Sequence, residues 1–194
     1  MRFVTSLLIF GLVAAPVSAQ QPPSHDNADI QKLFVADQAA REGISTTGPI
    51  DRARVVALIA ADGQRRGEAR RLLDAGALHS ANDFYAAAFI FQHGTTPEDY
   101  LLAHSLALAA AAGGKKEAAW IAAATLDRYL QKIGQKQIYG TQYLVAKDTG
   151  PTMEPYDAAL VPDSLRTALG VPDKAAQAKR LDGMKAAMPG HAKP

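Results

Sequence analysis

Residues 80–94, SANDFYAAAFIFQHG, decide the fold. Ser80 and Asp83 stand three apart in front of an apolar run. In that arrangement a hydroxyl caps the third backbone N–H while the acid reaches back to the first. Phe84 to Phe91 are apolar on every side of a helical wheel, the mark of a helix surrounded by others. His93-Gly94 closes the run, Gly being the usual residue past a helix C-terminus.

Working outward, TPEDYLLAHSLALAAAAGG (96–114) is a second helix with its own start and stop. Thr96 is the cap, Pro97 the first helical residue, Glu98 and Asp99 favour the positive end of the helix dipole, and Gly113-Gly114 ends it. Lys115 to Ile133 forms a third helix, stopped by Gly134. Upstream, Ile30, Leu33 and Phe34 share one face of a helix from about Asp29 to Arg41. Another helix starts near Asp51, carries Val55, Val56, Leu58 and Ile59, pauses at Asp62-Gly63, and resumes as a charged, part-solvated stretch to Asp74. Downstream, Gln135 to Pro155 reads as a long ordered loop with a short strand. Asp163 to Leu169 and Asp173 to Met188 then form two modest helices, each introduced by Pro and a capping Asp. The expectation is an all-α, single-domain helical bundle, stacked in the manner of helical-hairpin repeats, with a long ordered loop after its central helices.

The N-terminus has the parts of an export signal. Arg2 is the positive start, Phe3 to Val13 are mostly apolar, and Val17-Ser18-Ala19 offer the small residues a signal peptidase needs. We read residues 1–19 as a signal peptide, 20–28 as a disordered tether, 29–188 as the helical domain and 189–194 as a loose tail. A periplasmic or secreted protein follows. The 194-residue chain has no Cys, so an exported core must hold without disulfides. Its 21 Lys and Arg, one of them Arg2, against 19 acids leave almost no excess charge. That argues against a nucleic-acid partner. The apolar run Leu106 to Ala112 is too short for a membrane span.

Polar residues in unexpected places point to a site. On the third helix, Trp120, Ala123 and Leu130 lie about 20°, 40° and 60° from Asp127, which places that acid within an apolar face. Asp37 sits similarly among Ile30, Leu33 and Phe34, with Arg41 four residues on as a ready partner. In an up-down-up bundle of the three central helices, His93 and Asp127 reach one end, with Gln92, Arg128 and the loop to Gln142. His104 lies about 12 Å below that end at 1.5 Å of rise per residue.

Two readings of His93 and Asp127 stay open. One is a His–carboxylate dyad for acid/base chemistry. The other has His93 at a helix end capping carbonyls and Asp127 holding the neighbouring loop through backbone N–H groups. Likewise Arg128 and Gln142 either clamp an anionic or amide ligand or serve surface pairing. Gln137, Tyr139, Gly140, Thr141 and Gln142 either cradle a ligand or fold back onto the bundle. Histidines 25, 79, 93, 104 and 191 show no metal-ligand spacing. No Gly-x-Ser-x-Gly elbow or Gly-rich phosphate loop is present, and no cofactor is implied.

The elements Phe91-Gln92-His93-Gly94, Asp127-Arg128 and Gln137-x-Tyr139-Gly140-Thr141-Gln142 together resemble an uncharacterised bacterial domain family. That family is marked by a Gln-His helix end, an Asp-Arg pair and a Gln-x-Tyr-Gly-Thr-Gln loop. Asp37-Gln38-x-x-Arg41, Asp62-x-x-Arg65 and Asp83 to Tyr85 are similar to further elements of it, and Arg166 to Pro172 is a weaker echo. The family carries no established activity, so the resemblance implies where a site lies and not its chemistry. The functional expectation is an exported binding or interaction protein of the bacterial envelope with a small-molecule or envelope partner. The alternative is a hydrolase using His93 and Asp127 for proton transfer, with Arg128 holding an anionic group.

Overall fold

A computed structural model describes residues 25–43, 51–146 and 150–188. The leader 1–19, most of the tether and the tail 189–194 lie outside the described residues. Among those described, seven helices and one two-stranded hairpin form an all-α bundle. No helix among them is long and apolar enough to cross a membrane.

Helix α1 (Ala28–Ala39) starts at Asn27, whose side chain accepts from the N–H groups of Asp29 and Ile30. Helix α2 (Arg52–Asp74) is continuous, so the expected pause at Asp62-Gly63 is not there. The Asp62 carboxylate is bonded to Arg41 and to Arg65 one turn on, which removes its competition with the local backbone. The burial of α2 is also reversed from expectation. Ala69 and Leu72, in the charged half, are buried, whereas Val56 and Ile59 are 67% and 58% exposed.

Helix α3 (Ala81–Phe91) is the centre, in contact with α1, α2, α4 and α5. Its start is the capping box read from Ser80 and Asp83. The Asp83 carboxylate also accepts from Asn27 N–H at 2.8 Å, which ties the starts of α1 and α3 together. Helix α4 (Pro97–Ala112) has the same box from Thr96 and Asp99, and α5 (Ala118–Lys132) follows a turn at 115–117. Where these three helices meet, the buried side chains are largely methyl groups. Ala87 and Ala88 come from α3, Ala103, Ala107 and Ala110 from α4, and Ala118 and Ala122 from α5. Small side chains let the backbones approach closely. Larger groups, among them Ile90 and Phe91, complete the core.

The long loop contains an antiparallel hairpin, β1 (Leu144–Ala146) with β2 (Gly150–Thr152), in which Leu144 pairs with Thr152. Helices α6 (Asp163–Ala168) and α7 (Lys174–Ala186) close the chain. Asp173 caps α7 as expected, accepting from Ala176 N–H at 2.7 Å. Asp163 is the first helical residue of α6 rather than its cap, and it accepts from Lys174 N–H instead.

Candidate functional site

At the end of α3 the chain turns at Gln92-His93-Gly94. An added Cβ at Gly94 would stand 2.1 Å from Asp99 Cβ, so only glycine lets α4 begin so close. Arg66 of α2 donates to the His93 carbonyl at 2.7 Å, and the Tyr100 hydroxyl donates to the Gly94 carbonyl at 2.8 Å. The helix end is therefore capped by side chains from two neighbours. The His93 carbonyl accepts a cap here, and its ring is left for other work.

That ring faces Asp37, not Asp127. His93 Nε2 stands 3.5 Å from Asp37 Oδ2, within ion-pair range but without hydrogen-bond geometry. Asp37 belongs to a closed ring of charge. Its Oδ1 accepts from Arg41 at 2.8 Å and lies 3.4 Å from Arg65 Nε, while its Oδ2 accepts from Gln38 at 2.8 Å. Asp62 accepts from the other arms of the same two arginines, at 2.8 Å from Arg41 and 2.6 Å from Arg65. Burial works to raise the Asp62 carboxyl, but hydrogen bonds and charge from Arg41 and Arg65 hold it below the usual carboxylate range. Two acids against two guanidinium groups balance, and Asp37, wholly buried, stays paired.

The expected His93–Asp127 dyad is not formed, since no pair between them falls within 4.0 Å. The reason is that Asp127 is occupied. Its two oxygens accept from the N–H groups of Ile138, Tyr139 and Thr141 and from the Thr141 hydroxyl, at 2.8–2.9 Å. It holds the loop, the second of the two readings open to it.

The loop spends its other polar groups inward too. The Gln137 amide donates to the carbonyls of Gln142 and Met153, and its oxygen accepts from Gln142 N–H. Gln142 donates to the Ala124 carbonyl and to Thr141 Oγ1. The Tyr139 carbonyl takes Arg166 and Gln177, two fully buried side chains that sequence reasoning missed as partners. Gly140 does allow a close approach, with φ of 68°, but to Tyr156 and Gln177 rather than to a ligand. Its loop folds back onto the bundle.

Arg128 differs from every other arginine described so far. Among the described residues it has neither a hydrogen bond nor an acidic partner. Its Nε is sealed from solvent and unbonded, as is Nε2 of Gln131 one turn on. Burial pulls its pKa below the ordinary arginine value, with Tyr100 acting against that. A guanidinium remains protonated at neutral pH regardless.

Gln92 is buried beside this junction, and His104 is engaged below it, with Nδ1 2.9 Å from the Ala122 carbonyl. Among the described residues, no group of three or more His, Asp or Glu is arranged to hold a metal. Comparison with family models, curated proteins and solved structures finds no match for this chain.

Proposed function

We propose that this chain is a binding protein of the bacterial envelope, exported by the leader expected at residues 1–19, with its recognition site where α3 gives way to α4. One observation carries the reading. Among the described residues, the buried side-chain atoms without a hydrogen-bond partner are Arg65 Nε, His93 Nε2, Arg128 Nε and Gln131 Nε2, and all belong to segments meeting at this end. Buried polar atoms in native proteins are nearly always paired. Two of them, Arg65 Nε and His93 Nε2, stand within ion-pair range of Asp37, and the other two, on Arg128 and Gln131, have no partner of any kind, which suits a place that a ligand completes. Some of the residues quoted for the family resemblance, Asp37, Arg41, Asp62, Arg65 and His93, also converge here, while Asp127 and the 137–142 loop bond to each other.

A second reading, a hydrolase using proton transfer, is favoured by the position of His93 against an acid kept paired by two arginines. Its carboxylate is Asp37 rather than Asp127. Such a carboxylate orients an imidazole and stabilises its charged form, and hydrogen bonds of this kind are often long before substrate binds.

A thermal-shift screen of metabolites and peptidoglycan fragments tests the binding reading. Stabilising compounds are expected, with the effect lost in His93→Ala or Arg128→Ala. No stabilising compound, or hits indifferent to both substitutions, would count against it. The hydrolase reading requires turnover of a hit by the parent protein and none by a folded His93→Ala.

A further inference from the structure

We propose that Arg128 and Gln131 form the receptor for a carboxylate group on a singly charged ligand, an inference that rests on the binding reading above and names its ligand chemistry.

Two arginines here have a sealed, unbonded Nε. Arg65 is nevertheless paired, with Asp62 at 2.6 Å and Asp37 at 3.4 Å. Arg128 has no acid within 4.0 Å among the described residues. The acid next to it in sequence, Asp127, is fully buried and committed to the loop. The acids across the junction, Asp37 and Asp62, are balanced by Arg41 and Arg65. The Arg128 charge is thus without an acidic partner in a part-buried setting, where charge without a counter-ion is costly.

The donors around it define what would relieve that cost. The terminal amines of Arg128 have no hydrogen-bond partner and, unlike Nε, are not wholly sealed. Gln131 adds an amide N–H one turn further along the same helix. Tyr100 adds none, because its hydroxyl hydrogen is spent on the Gly94 carbonyl. A planar fork and one neutral donor suit the two oxygens of a carboxylate. A phosphate dianion would carry one negative charge more than the site supplies.

The test uses the purified protein with sodium acetate and sodium benzoate at constant ionic strength, sodium chloride as the blank and inorganic phosphate as a second arm. The carboxylates are expected to raise the thermal midpoint by about 2–4 °C once they exceed their Kd a few-fold. They should also move the Arg128 Nε–H resonance, identified by its loss in Arg128→Met. Arg128→Met should remove both responses while leaving the ligand-free midpoint unchanged or higher. Arg128→Lys, which keeps charge but not the fork, should weaken binding at least tenfold.

Four results overturn the proposal: carboxylates no better than chloride, phosphate better than carboxylates, a response that survives Arg128→Met, or a ligand-free Arg128→Met with a clearly lowered midpoint. Should other compounds stabilise the protein through His93 but not Arg128, the carboxylate assignment falls and the binding reading stands. If no compound of any class acts, both fall.

Discussion

Asp127 and Arg166 grip the same two residues, Ile138 and Tyr139, without meeting, and both hold the peptide group that joins them. Asp127 accepts from the N–H groups of Ile138 and Tyr139, and Arg166 donates to the carbonyls of the same two residues. Each is fully buried. Two opposite charges are thereby bridged by one polarised peptide bond, Ile138–Tyr139, an arrangement in which each hydrogen bond strengthens the other.

Asp127→Ala should therefore cost about 3–5 kcal/mol, as for removing one member of a buried charged network, because it strands the N–H groups of Ile138, Tyr139 and Thr141. Combined with Arg166→Met, the loss should fall short of the sum of the single losses by about 0.5–3 kcal/mol. Urea unfolding of the four proteins measures this. Strict additivity would refute the bridge.

His93 and Asp37 should separate cleanly in stability. Asp37 is wholly buried and holds Arg41 and Gln38 by hydrogen bonds, so Asp37→Ala is expected to cost about 3–5 kcal/mol. His93 Nε2 makes no hydrogen bond, so His93→Ala should cost only about 1 kcal/mol, a packing loss. Thermal midpoints of the two variants decide it. Equal losses would mean the imidazole is a structural member of the charge ring.

The pH dependence follows from two carboxyls held below their ordinary 3.8, Asp62 and Asp83. Burial pushes both upward. For Asp62 the hydrogen bonds from Arg41 and Arg65 reverse that, and for Asp83 the N–H groups of His79, Asn27 and Ser80 do so. Each group binds fewer protons folded than unfolded. Its contribution is therefore whole above about pH 5 and is lost as pH falls through the unfolded value towards the folded one. Urea midpoints should be insensitive to these groups from pH 5 to 7 and drop below pH 4. In Asp62→Asn or Asp83→Asn that acid slope should be shallower. An unchanged slope would remove the group from the account.

Gly140→Ala tests the loop itself. A Cβ there would lie 2.7 Å from Tyr156 Cζ and 2.8 Å from Gln177 Oε1, on a backbone with φ of 68°. The left-handed conformation costs about 1–2 kcal/mol for a non-glycine residue, and the overlap about 1–3 more. A calorimetric midpoint within a degree of the parent would show that the loop is not seated as described.

The helices and their ends were legible because their signals are local. Ser80 with Asp83, and Thr96 with Asp99, sit within one turn of each other, and both boxes form. The wheel also placed Asp127 inside, although Trp120, its nearest apolar neighbour on that wheel, is exposed. Of the two readings open for Asp127, the loop N–H groups are its partners, and the dyad with His93 fails for a physical reason. Rise along an axis sets which residues share a level, but not which neighbour a side chain faces. His93 turns to α1 and α2, whose packing around α3 no local signal encodes. Asp37 was explained by Arg41 alone, and that pair exists, yet Asp62 and Arg65 complete it from another helix. Arg166 and Gln177 lie on weakly patterned helices, and only the faint echo at Arg166 to Pro172 pointed there. Val56 and Ile59 show the converse, apolar residues that helical spacing could not distinguish from buried ones.

The methyl-lined seam between α3, α4 and α5 gives the bundle a one-way tolerance. Trimming Ala107, fully enclosed on α4, to glycine removes a single carbon and costs about 1 kcal/mol in helix propensity. Enlarging it to leucine has nowhere to put the added atoms and must prise two helix axes apart. Variation at this seam is thus confined to the smallest residues. Because α3 and α5 each pack mainly on α4, their separation, and with it the spacing of His93 from Arg128, is set by that methyl-lined seam.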